Sequence, residues 1–382
     1  MLYYLTQYLQ EMLAAAGYAD EFSFLRVVRY ITVRSAGAAI TALLLSWWFG
    51  PAVIRWLRDL KFGQEYADKA EESSARTTPR SAKRGTPTMG GILIIASLDL
   101  SALLWTQWNE LVLLTLLSLM VLAGLGFYDD YAKIARQDSR GTTSRIKLAV
   151  QITLALAIGI YLWWLPTTRP LVTEIAVPFY KHPIATNAAA VGLLLVVATI
   201  VGSSNAVNLT DGMDGLAIGC TVIVTGVFVV LTYIAGNTIA AGYLQVPYVA
   251  GAGELTVFSA AMFGAGLGFL WFNCHPAQVF MGDTGSLALG GALGIMAILI
   301  HQPFVLLIAG GVFVAEALSV IGQTTYFKYT RRRYGTGRRI FLMSPLHHHF
   351  EQKGWHESQV VARFYILGIL CAVMALSTLK LR

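Results

Sequence analysis

The sequence contains little charge for its length. Of its 382 residues only 13% are charged, whereas 56% are apolar and the mean hydropathy is +0.60. An average soluble domain has roughly a quarter of its residues charged, and a soluble fold could not bury so much apolar surface. The composition therefore excludes an ordinary soluble enzyme and predicts an all-α polytopic membrane protein.

Cysteine is also scarce. The three cysteines, Cys220, Cys274 and Cys371, are scattered along the chain, which excludes a disulfide framework and a cysteine-based zinc site. Cys274-His275 resembles half of a metal site, but we find no second half in the sequence and interpret the pair as structural. No pattern repeats at a fixed period, so a solenoid is excluded.

Long apolar stretches are abundant, and ten of them could cross a bilayer, which takes about 20 residues per helix. A breaker at 301–303 separates two of them and predicts a tight turn, because proline cannot continue a helix without losing a backbone bond. Four prolines in 166–187 predict an outer loop with a short hairpin. The predicted spans are 27–49, 88–107, 111–128, 147–166, 188–204, 215–236, 256–273, 284–301, 304–327 and 358–379.

The basic residues predict the orientation of these spans. The net charge of +7 would suggest nucleic acid in a soluble chain, but in a membrane protein Lys and Arg mark cytoplasmic loops. Three segments, 55–87, 131–147 and 328–357, carry 20 of the 28 basic residues and fall on one side of a ten-span topology. We therefore predict that this side is cytoplasmic, together with the links 205–214 and 274–283.

Both termini then lie outside the cell in this topology. Residues 1–25 contain no Lys or Arg and predict an outer-surface helix. Three arginines near the outer end of the first span do not fit the pattern, and we expect them to pair or to extend toward the membrane surface; they are Arg26, Arg29 and Arg34.

Five aspartates gather at the predicted cytoplasmic face. Carboxylates crowded together repel one another, and a hard cation such as Mg²⁺ usually relieves this repulsion. The alternatives are a solvated helix end for the paired aspartates and helix capping for the others. The five are Asp129, Asp130, Asp211, Asp214 and Asp283.

Three further features contain ionisable groups. The run His347-His348-His349 permits a metal cluster or a polar loop, and hydrogen bonding to a ligand is favoured because no Cys or Glu is spaced to complete a zinc site. Asp99 and Glu316 lie midway along predicted spans, where an ionisable group is a functional candidate by default. The pair Gly310-Gly311 would let the helix bend and bring Glu316 toward the cytoplasmic cleft.

Five segments together resemble the phospho-N-acetylmuramoyl-pentapeptide transferase family, which belongs to the polyprenyl-phosphate N-acetylhexosamine-1-phosphate transferase superfamily. The resemblance covers nearly the whole chain, in order, and the Pro-Leu-His-His-His run distinguishes this family within the superfamily. The segments are 83–91, 129–131, 208–215, 276–283 and 344–351.

The resemblance implies a single catalytic domain over 1–382 in the bacterial plasma membrane, with its active site facing the cytoplasm. It implies transfer of phospho-MurNAc-pentapeptide from UDP-MurNAc-pentapeptide to undecaprenyl phosphate, with Mg²⁺ as cofactor and UMP and lipid I as products. Nucleic acid is not an expected partner, whereas a homodimer is. Phosphoryl transfer of this kind requires neutralisation of charge on the leaving group, which Mg²⁺ and lysines supply.

The resemblance also implies roles for individual residues. Asp283 would be the principal Mg²⁺ ligand, supported by Asp130, and Asp129 would be the base or would orient the lipid phosphate. An alternative mechanism makes an aspartate the covalent nucleophile. The other matching positions are Lys83, Thr88 and Lys133 near the phosphates, Asn208, Asp211, Asp214, Asn273 and Phe280 near the nucleoside, and His347 (also a catalytic candidate), His348 and His349 near the sugar and peptide.

Two other functions compete with this interpretation. A related transferase would use UDP-N-acetylglucosamine, which carries no peptide. A transporter would place its binding residues near the bilayer midplane on paired repeats, whereas the acidic groups here gather at one face and no matching halves are found.

Overall fold

A computed structural model describes residues 1–16, 18, 22–60, 85–136, 141–180 and 182–379. Within these ranges the chain is helical apart from its loops, which include an isolated β-bridge between Ile175 and Ala185. That bridge agrees with the hairpin predicted for the outer loop.

The helices are numbered here in chain order, with a 3₁₀-helix at Ser23–Arg29 between the first two. They are α1 (Leu2–Ala15), α2 (Ile31–Asp59), α3 (Gly91–Trp105), α4 (Glu110–Arg136), α5 (Ser144–Trp164), α6 (Pro170–Thr173), α7 (Ala189–Thr210), α8 (Leu216–Gly236), α9 (Thr238–Leu244), α10 (Gly253–Asn273), α11 (Gly282–Leu299), α12 (Pro303–Ala309), α13 (Gly311–Tyr334), α14 (Leu346–Gln352) and α15 (Glu357–Ser377).

Eight of the described helices are long and apolar enough to cross a membrane, namely α2, α4, α5, α7, α8, α10, α11 and α15. A ninth crossing forms if α12 and α13 count as one broken span, and α3 is apolar but only 15 residues long. The predicted class, an all-α polytopic membrane protein, is confirmed. The count of ten spans and the side on which the termini lie stay predictions.

Several helices continue beyond the apolar stretch that predicted them. α4 reaches Arg136, α7 reaches Thr210 and α13 reaches Tyr334, each inside a segment predicted as a cytoplasmic loop. A helix satisfies its own backbone hydrogen bonds, so it need not end where its side chains become polar. Hydropathy predicts the edge of the apolar stretch and misses these polar helical extensions.

The centre of the bundle is formed by α10 and α11, the most completely buried of the spans. α10 packs against α2 and α8, while α11 packs against α4 and α7. Gly290 and Gly294 of α11 lie so close to the backbone of α7 that a Cβ at either position would overlap it. Small residues permit this close approach, as is common between membrane helices.

Arg34 resolves the exception among the outer basic residues. Its guanidinium forms a bidentate ion pair with Glu254 of α10, with Nη1–Oε2 and Nη2–Oε1 distances of 2.5 and 2.6 Å. Both side chains are buried, and the backbone N–H of Gln107 donates a further hydrogen bond to Glu254. The predicted pairing is confirmed for Arg34.

The chain reverses and bends where the sequence predicts it. α11 ends at Leu299 and α12 begins at Pro303, as expected for a turn at 301–303. α12 and α13 meet at an angle of 85° at Gly310. This bend directs the first half of α13 toward the segment that contains the three histidines, and its effect on Glu316 is described below.

Candidate active site

Two loops pair along their backbones at one end of the bundle. The N–H of Phe280 donates to Pro87 O at 2.8 Å, and the N–H groups of Gly90 and Gly91 donate to Phe280 O and Met281 O. This pairing puts Thr88 beside Gly282, since a Cβ added at Gly282 would lie 3.0 Å from Thr88 Oγ1. Lys83, predicted to lie near the phosphates, is outside the described residues.

Three of the predicted aspartates meet next to these loops. Asp129 and Asp130 belong to the last two turns of α4, and Asp283 is the second residue of α11. One oxygen of each lies within 4.8 Å of the others. Asp129 and Asp130 are buried, whereas the Asp283 side chain is 14% exposed and is the carboxylate of the three that an incoming ligand reaches most easily.

Asp130 caps the helix that begins beside it. Its Oδ2 accepts hydrogen bonds from Thr284 N (3.0 Å) and Thr284 Oγ1 (2.8 Å), and its Oδ1 accepts one from Asp283 N (3.2 Å). A carboxylate accepts about four hydrogen bonds, so Asp130 keeps room for one more ligand while it holds Asp283 in place. Its contacts suit a supporting role.

Two lysines lie among the carboxylates. Lys133 Nζ is 2.7 Å from Asp129 Oδ2 and 3.2 Å from Asp283 Oδ2. Lys147, from the first turn of α5, is 2.8 and 2.6 Å from the same two oxygens. Both lysines were expected beside the carboxylates, and Lys133 was further predicted near the phosphates. The direct contacts of Lys147 depend on the packing of α5 against this face of the site, which the sequence does not indicate.

Asn208 also contacts the exposed carboxylate. Its Nδ2 donates to Asp283 Oδ1 and to Ser286 Oγ, both at 2.8 Å. Asn208 was predicted to lie on the nucleoside side of the site. In the structure its side-chain amide holds the carboxylate of Asp283 on α11. Asn208 and Lys147 therefore hold Asp283 from two different helices.

A second polar layer lies one helical turn deeper in the bundle. Gln151, one turn beyond Lys147 on α5, donates to Ser204 Oγ at 3.0 Å and accepts from Asn205 at 2.8 Å. Ser204 in turn donates to Leu287 O of α11 at 2.9 Å. These buried hydrogen bonds join α5, α7 and α11 and so fix the spacing of the residues above them.

Asp211 lies at the end of α7, next to the carboxylate group. It accepts a hydrogen bond from the backbone N–H of Gly282. Burial, followed by the nearby charges of Asp283 and Asp130, raises the pKa of Asp211 to about 8. A cation bound at the three aspartates would oppose this shift.

Asp214 belongs to a different cluster. Its Oδ2 is 2.9 Å from His275 Nδ1, and Glu357 Oε2 is 3.7 Å from the same nitrogen. The three side chains lie close enough to hold a metal ion. The sequence shows no second half of a metal site near His275, because these partners are 61 and 82 residues away and only the fold brings them together. The structural role of the pair Cys274-His275 stays a prediction.

The remaining nucleoside candidates have structural partners. Asn273 is buried, accepts a hydrogen bond from Gly215 N at 3.1 Å and donates one to Val279 O at 2.8 Å. It thereby ties the loop before α8 to the loop before α11. Phe280 is partly buried and lies in the paired loop segment described above.

The three histidines have different surroundings. His347 is buried, and its Nδ1 is 3.2 Å from Glu316 Oε1. His348 Nδ1 is 3.0 Å from Glu351 Oε2, and the ring of His349 accepts a hydrogen bond from the backbone N–H of Leu342. Burial lowers the pKa of His347, so its ring is neutral at pH 7. Glu316 thus lies against the histidine segment, and its position beside a cytoplasmic cleft stays a prediction.

The donor set of the site fits a hard divalent cation. Asp129, Asp130 and Asp283 offer only carboxylate oxygens, which Mg²⁺ prefers, and two of the three are held by backbone or side-chain donors. With Lys133 and Lys147 the group has a formal charge of −1, so one Mg²⁺ would leave a net positive site suited to an anionic phosphate.

Comparison with known proteins gives consistent matches along the chain. Residues 112–301 match the family model described as glycosyl transferase family 4, and residues 83–95 match signature 1 of phospho-N-acetylmuramoyl-pentapeptide-transferase. The phospho-N-acetylmuramoyl-pentapeptide-transferase of Methylacidiphilum infernorum is 46% identical over 383 residues, which is 100% of both chains. Proteins of the same name from Desulfotalea psychrophila and Opitutus terrae are 48% and 47% identical, covering 94% and 95% of this chain and 97% and 98% of their own.

Proposed function

The chain belongs to the phospho-N-acetylmuramoyl-pentapeptide transferase family, and we propose that it transfers phospho-MurNAc-pentapeptide from UDP-MurNAc-pentapeptide to undecaprenyl phosphate. The products are UMP and the lipid-linked sugar peptide known as lipid I. The observation that carries the proposal is the group of three aspartates and two lysines at one end of an apolar helical bundle. A phosphoryl transfer needs such a group to neutralise phosphate charge.

The two substrates require an active site at the membrane surface. A nucleotide sugar is water soluble and a polyprenyl phosphate is held in lipid, so their phosphates can meet only at the membrane surface. The carboxylates lie at the ends of α4 and α11, next to loops in which Lys and Arg are concentrated. We assign this surface to the cytoplasmic side of the bacterial plasma membrane, by the distribution of positive charge.

An apolar cavity offers a place for the polyprenyl chain. It has a volume of about 250 Å³ and is lined mainly by apolar side chains of α7, α11 and the bent pair α12 and α13. Its lining includes Val207, which directly precedes Asn208 of the site. A lipid tail in this cavity would bring its phosphate close to Asp283, since Asn208 contacts that carboxylate.

We assign Asp283 as the main ligand of Mg²⁺ and Asp130 as its support. When bound, Mg²⁺ would polarise the pyrophosphate and stabilise charge on the leaving UMP. Lys133 and Lys147 would hold the phosphate oxygens, since their ammonium groups lie between Asp129 and Asp283. Asp129, which accepts a hydrogen bond from Thr142 N at 2.7 Å, would orient or deprotonate the lipid phosphate.

The decisive experiment is an assay of the purified protein in detergent with undecaprenyl phosphate. We expect UMP and a radiolabelled lipid product from UDP-MurNAc-pentapeptide with Mg²⁺, and no product after chelation. Faster turnover of UDP-N-acetylglucosamine would overturn the proposed donor. Full UMP release by D283N at saturating Mg²⁺ would overturn the proposed metal ligand.

A related assay separates the one-step mechanism from the covalent one. If an aspartate is the nucleophile, enzyme and labelled donor without undecaprenyl phosphate should yield UMP and a labelled protein in equal amounts. Absence of both products under these conditions supports direct attack by the lipid phosphate. The expected homodimer is checked separately by native mass spectrometry of the purified protein.

A further inference from the structure

A concentrated group of positive charge lies around the end of α13, outside the proposed active site. Between Glu316 and Glu351 the sequence contains no acidic residue and six basic ones. All six are exposed, and no carboxylate among the described residues pairs with any of them. The proposed reaction gives these cations no role. They are Lys328, Arg331, Arg332, Arg333, Arg338 and Arg339.

These cations belong to a hairpin in which the chain turns back along α13. The helix ends at Tyr334, and the turn passes through Gly335, whose φ of +75° suits glycine. The return arm, 336–342, then runs beside the last turns of the helix. Gly337 permits close packing of the two arms, because a Cβ there would overlap the ring of Phe327.

Two buried polar side chains of α13 hold the return arm. Gln323 Oε1 accepts hydrogen bonds from Ile340 N at 2.9 Å and Phe341 N at 3.0 Å, and its Nε2 donates to Phe341 O at 3.1 Å. Thr330 Oγ1 accepts a hydrogen bond from Arg338 N at 2.8 Å. The six cations are therefore displayed on a folded element, residues 323–342, which we call the basic hairpin.

The same hydrogen bonds fix the level of the return arm along the helix. Arg338 lies beside Thr330, in the part of α13 that contains the cations. Ile340 lies beside Gln323, which is five residues before Lys328 and hence about 7.5 Å nearer the middle of the helix. The basic hairpin thus has an outer level that contains the cations and an inner level that contains none.

The inner level exposes large apolar and aromatic side chains. Ile340 and Leu342 of the return arm are 52% and 49% exposed, and Tyr326 and Tyr329 of the helix are 39% and 59% exposed. Tyrosine is typical of the boundary between lipid and water. Arginine beside apolar side chains is also typical of this boundary, because its stem covers apolar surface while its charge extends outward.

We propose that the basic hairpin binds the phosphate head groups of anionic phospholipids in the surrounding bilayer. Arg338 and Arg339 lie at the level of the phosphates, and Ile340 and Leu342 contact the first methylenes of the acyl chains. A water-soluble acidic partner would match the cations but leave these apolar side chains in water. The orientation of the protein in the membrane accounts for basic residues in this segment, but it does not require that the segment fold back with its charges and apolar groups at separate levels.

A lipid titration of the purified protein in detergent, followed by native mass spectrometry, tests the proposal. The probes are phosphatidylglycerol, which is anionic, and phosphatidylcholine with the same acyl chains, which has no net charge. A basic residue near a membrane surface raises the affinity for anionic lipid about fivefold. We therefore expect R338Q/R339Q to bind phosphatidylglycerol about 25-fold more weakly and phosphatidylcholine as the wild type does.

Two further variants separate charge from structure. R338K/R339K is the matched control, since it keeps both charges, and it should bind phosphatidylglycerol within about threefold of the wild type. I340S keeps all six cations and removes an apolar contact, so it should weaken the binding of both lipids to a similar degree. The melting temperature of each variant checks that it is folded.

Several results would overturn the proposal. Equal affinity of the wild type for the two lipids would do so without any variant, as would unchanged phosphatidylglycerol binding in R338Q/R339Q or an equal loss in R338K/R339K. A glutamine variant that loses only a dimer in the same spectra would assign the hairpin to a second copy of the chain. A raised KM for the nucleotide sugar with unchanged lipid binding would assign it to the peptide of the donor. The lipid titration requires no turnover, so its failure is distinct from failure of the proposed function.

Discussion

Lys147 allows the sharpest test of how the site handles charge. Its Nζ is 2.6 Å from Asp283 Oδ2 and 2.8 Å from Asp129 Oδ2. At an effective dielectric constant of about 20, each contact corresponds to ~6 kcal/mol of Coulomb attraction. Desolvation offsets much of it, and loss of one partner from a buried pair costs about 3–5 kcal/mol in measured cases.

The K147M variant removes the ammonium and keeps a side chain of similar length. Lys133 still contacts both carboxylates, so we expect kcat to fall by about 100-fold, equivalent to ~2.7 kcal/mol. Because the site becomes more negative, the Mg²⁺ concentration that gives half-maximal rate should fall several-fold. K147R, which keeps the charge, should lose less than about 10-fold in kcat.

Steady-state UMP release over a Mg²⁺ titration measures both effects. The reasoning would be refuted by a K147M variant with wild-type kcat and an unchanged Mg²⁺ requirement. A lower melting temperature with unchanged kcat per folded molecule would show that Lys147 serves folding alone.

Three further predictions concern the site, the core and pH. G282A should lose more than about 100-fold in activity and bind Mn²⁺ more weakly by electron paramagnetic resonance, because φ is +73° there and a Cβ would lie 2.6 Å from Asp130 Oδ2. R34M should lower the free energy of unfolding, measured by tryptophan fluorescence, by about 3–5 kcal/mol. The kcat of the folded fraction should stay unchanged. The double variant R34M/E254Q should recover part of the lost free energy of unfolding. Burial lowers the pKa of His347, so the folded state binds a proton less readily than the unfolded state. The free energy of unfolding should therefore fall as the pH drops below about 6.5. This fall should be smaller in H347Q.

The sequence was sufficient for the class of protein and for much of the candidate site. Apolar stretches of membrane-spanning length predict helices, because a bilayer leaves a backbone few other ways to satisfy its hydrogen bonds. The aspartates at the ends of α4 and α11 were predicted together, because their positions along the spans place them at one face. The turn at 301–303 and the bend at Gly310 followed from proline and glycine.

Contacts between distant segments required the tertiary structure. Lys147 reaches Asp283 over 136 residues, and Arg34 reaches Glu254 over 220. Hydropathy assigns a residue to a depth in the membrane, but it does not specify which helices are neighbours or how each is rotated about its axis. The partners of His275, absent from its own part of the sequence, were missed for the same reason.

By itself the sequence determined the class of protein, an all-α membrane protein, and the family that the chain resembles, since composition and local motifs contain that information. Only the tertiary structure decided that Asp130 caps the helix of Asp283 and that Glu316 faces the ring of His347. Both contacts depend on the packing of helices far apart in the chain, where distances of about 3 Å are set by the whole bundle.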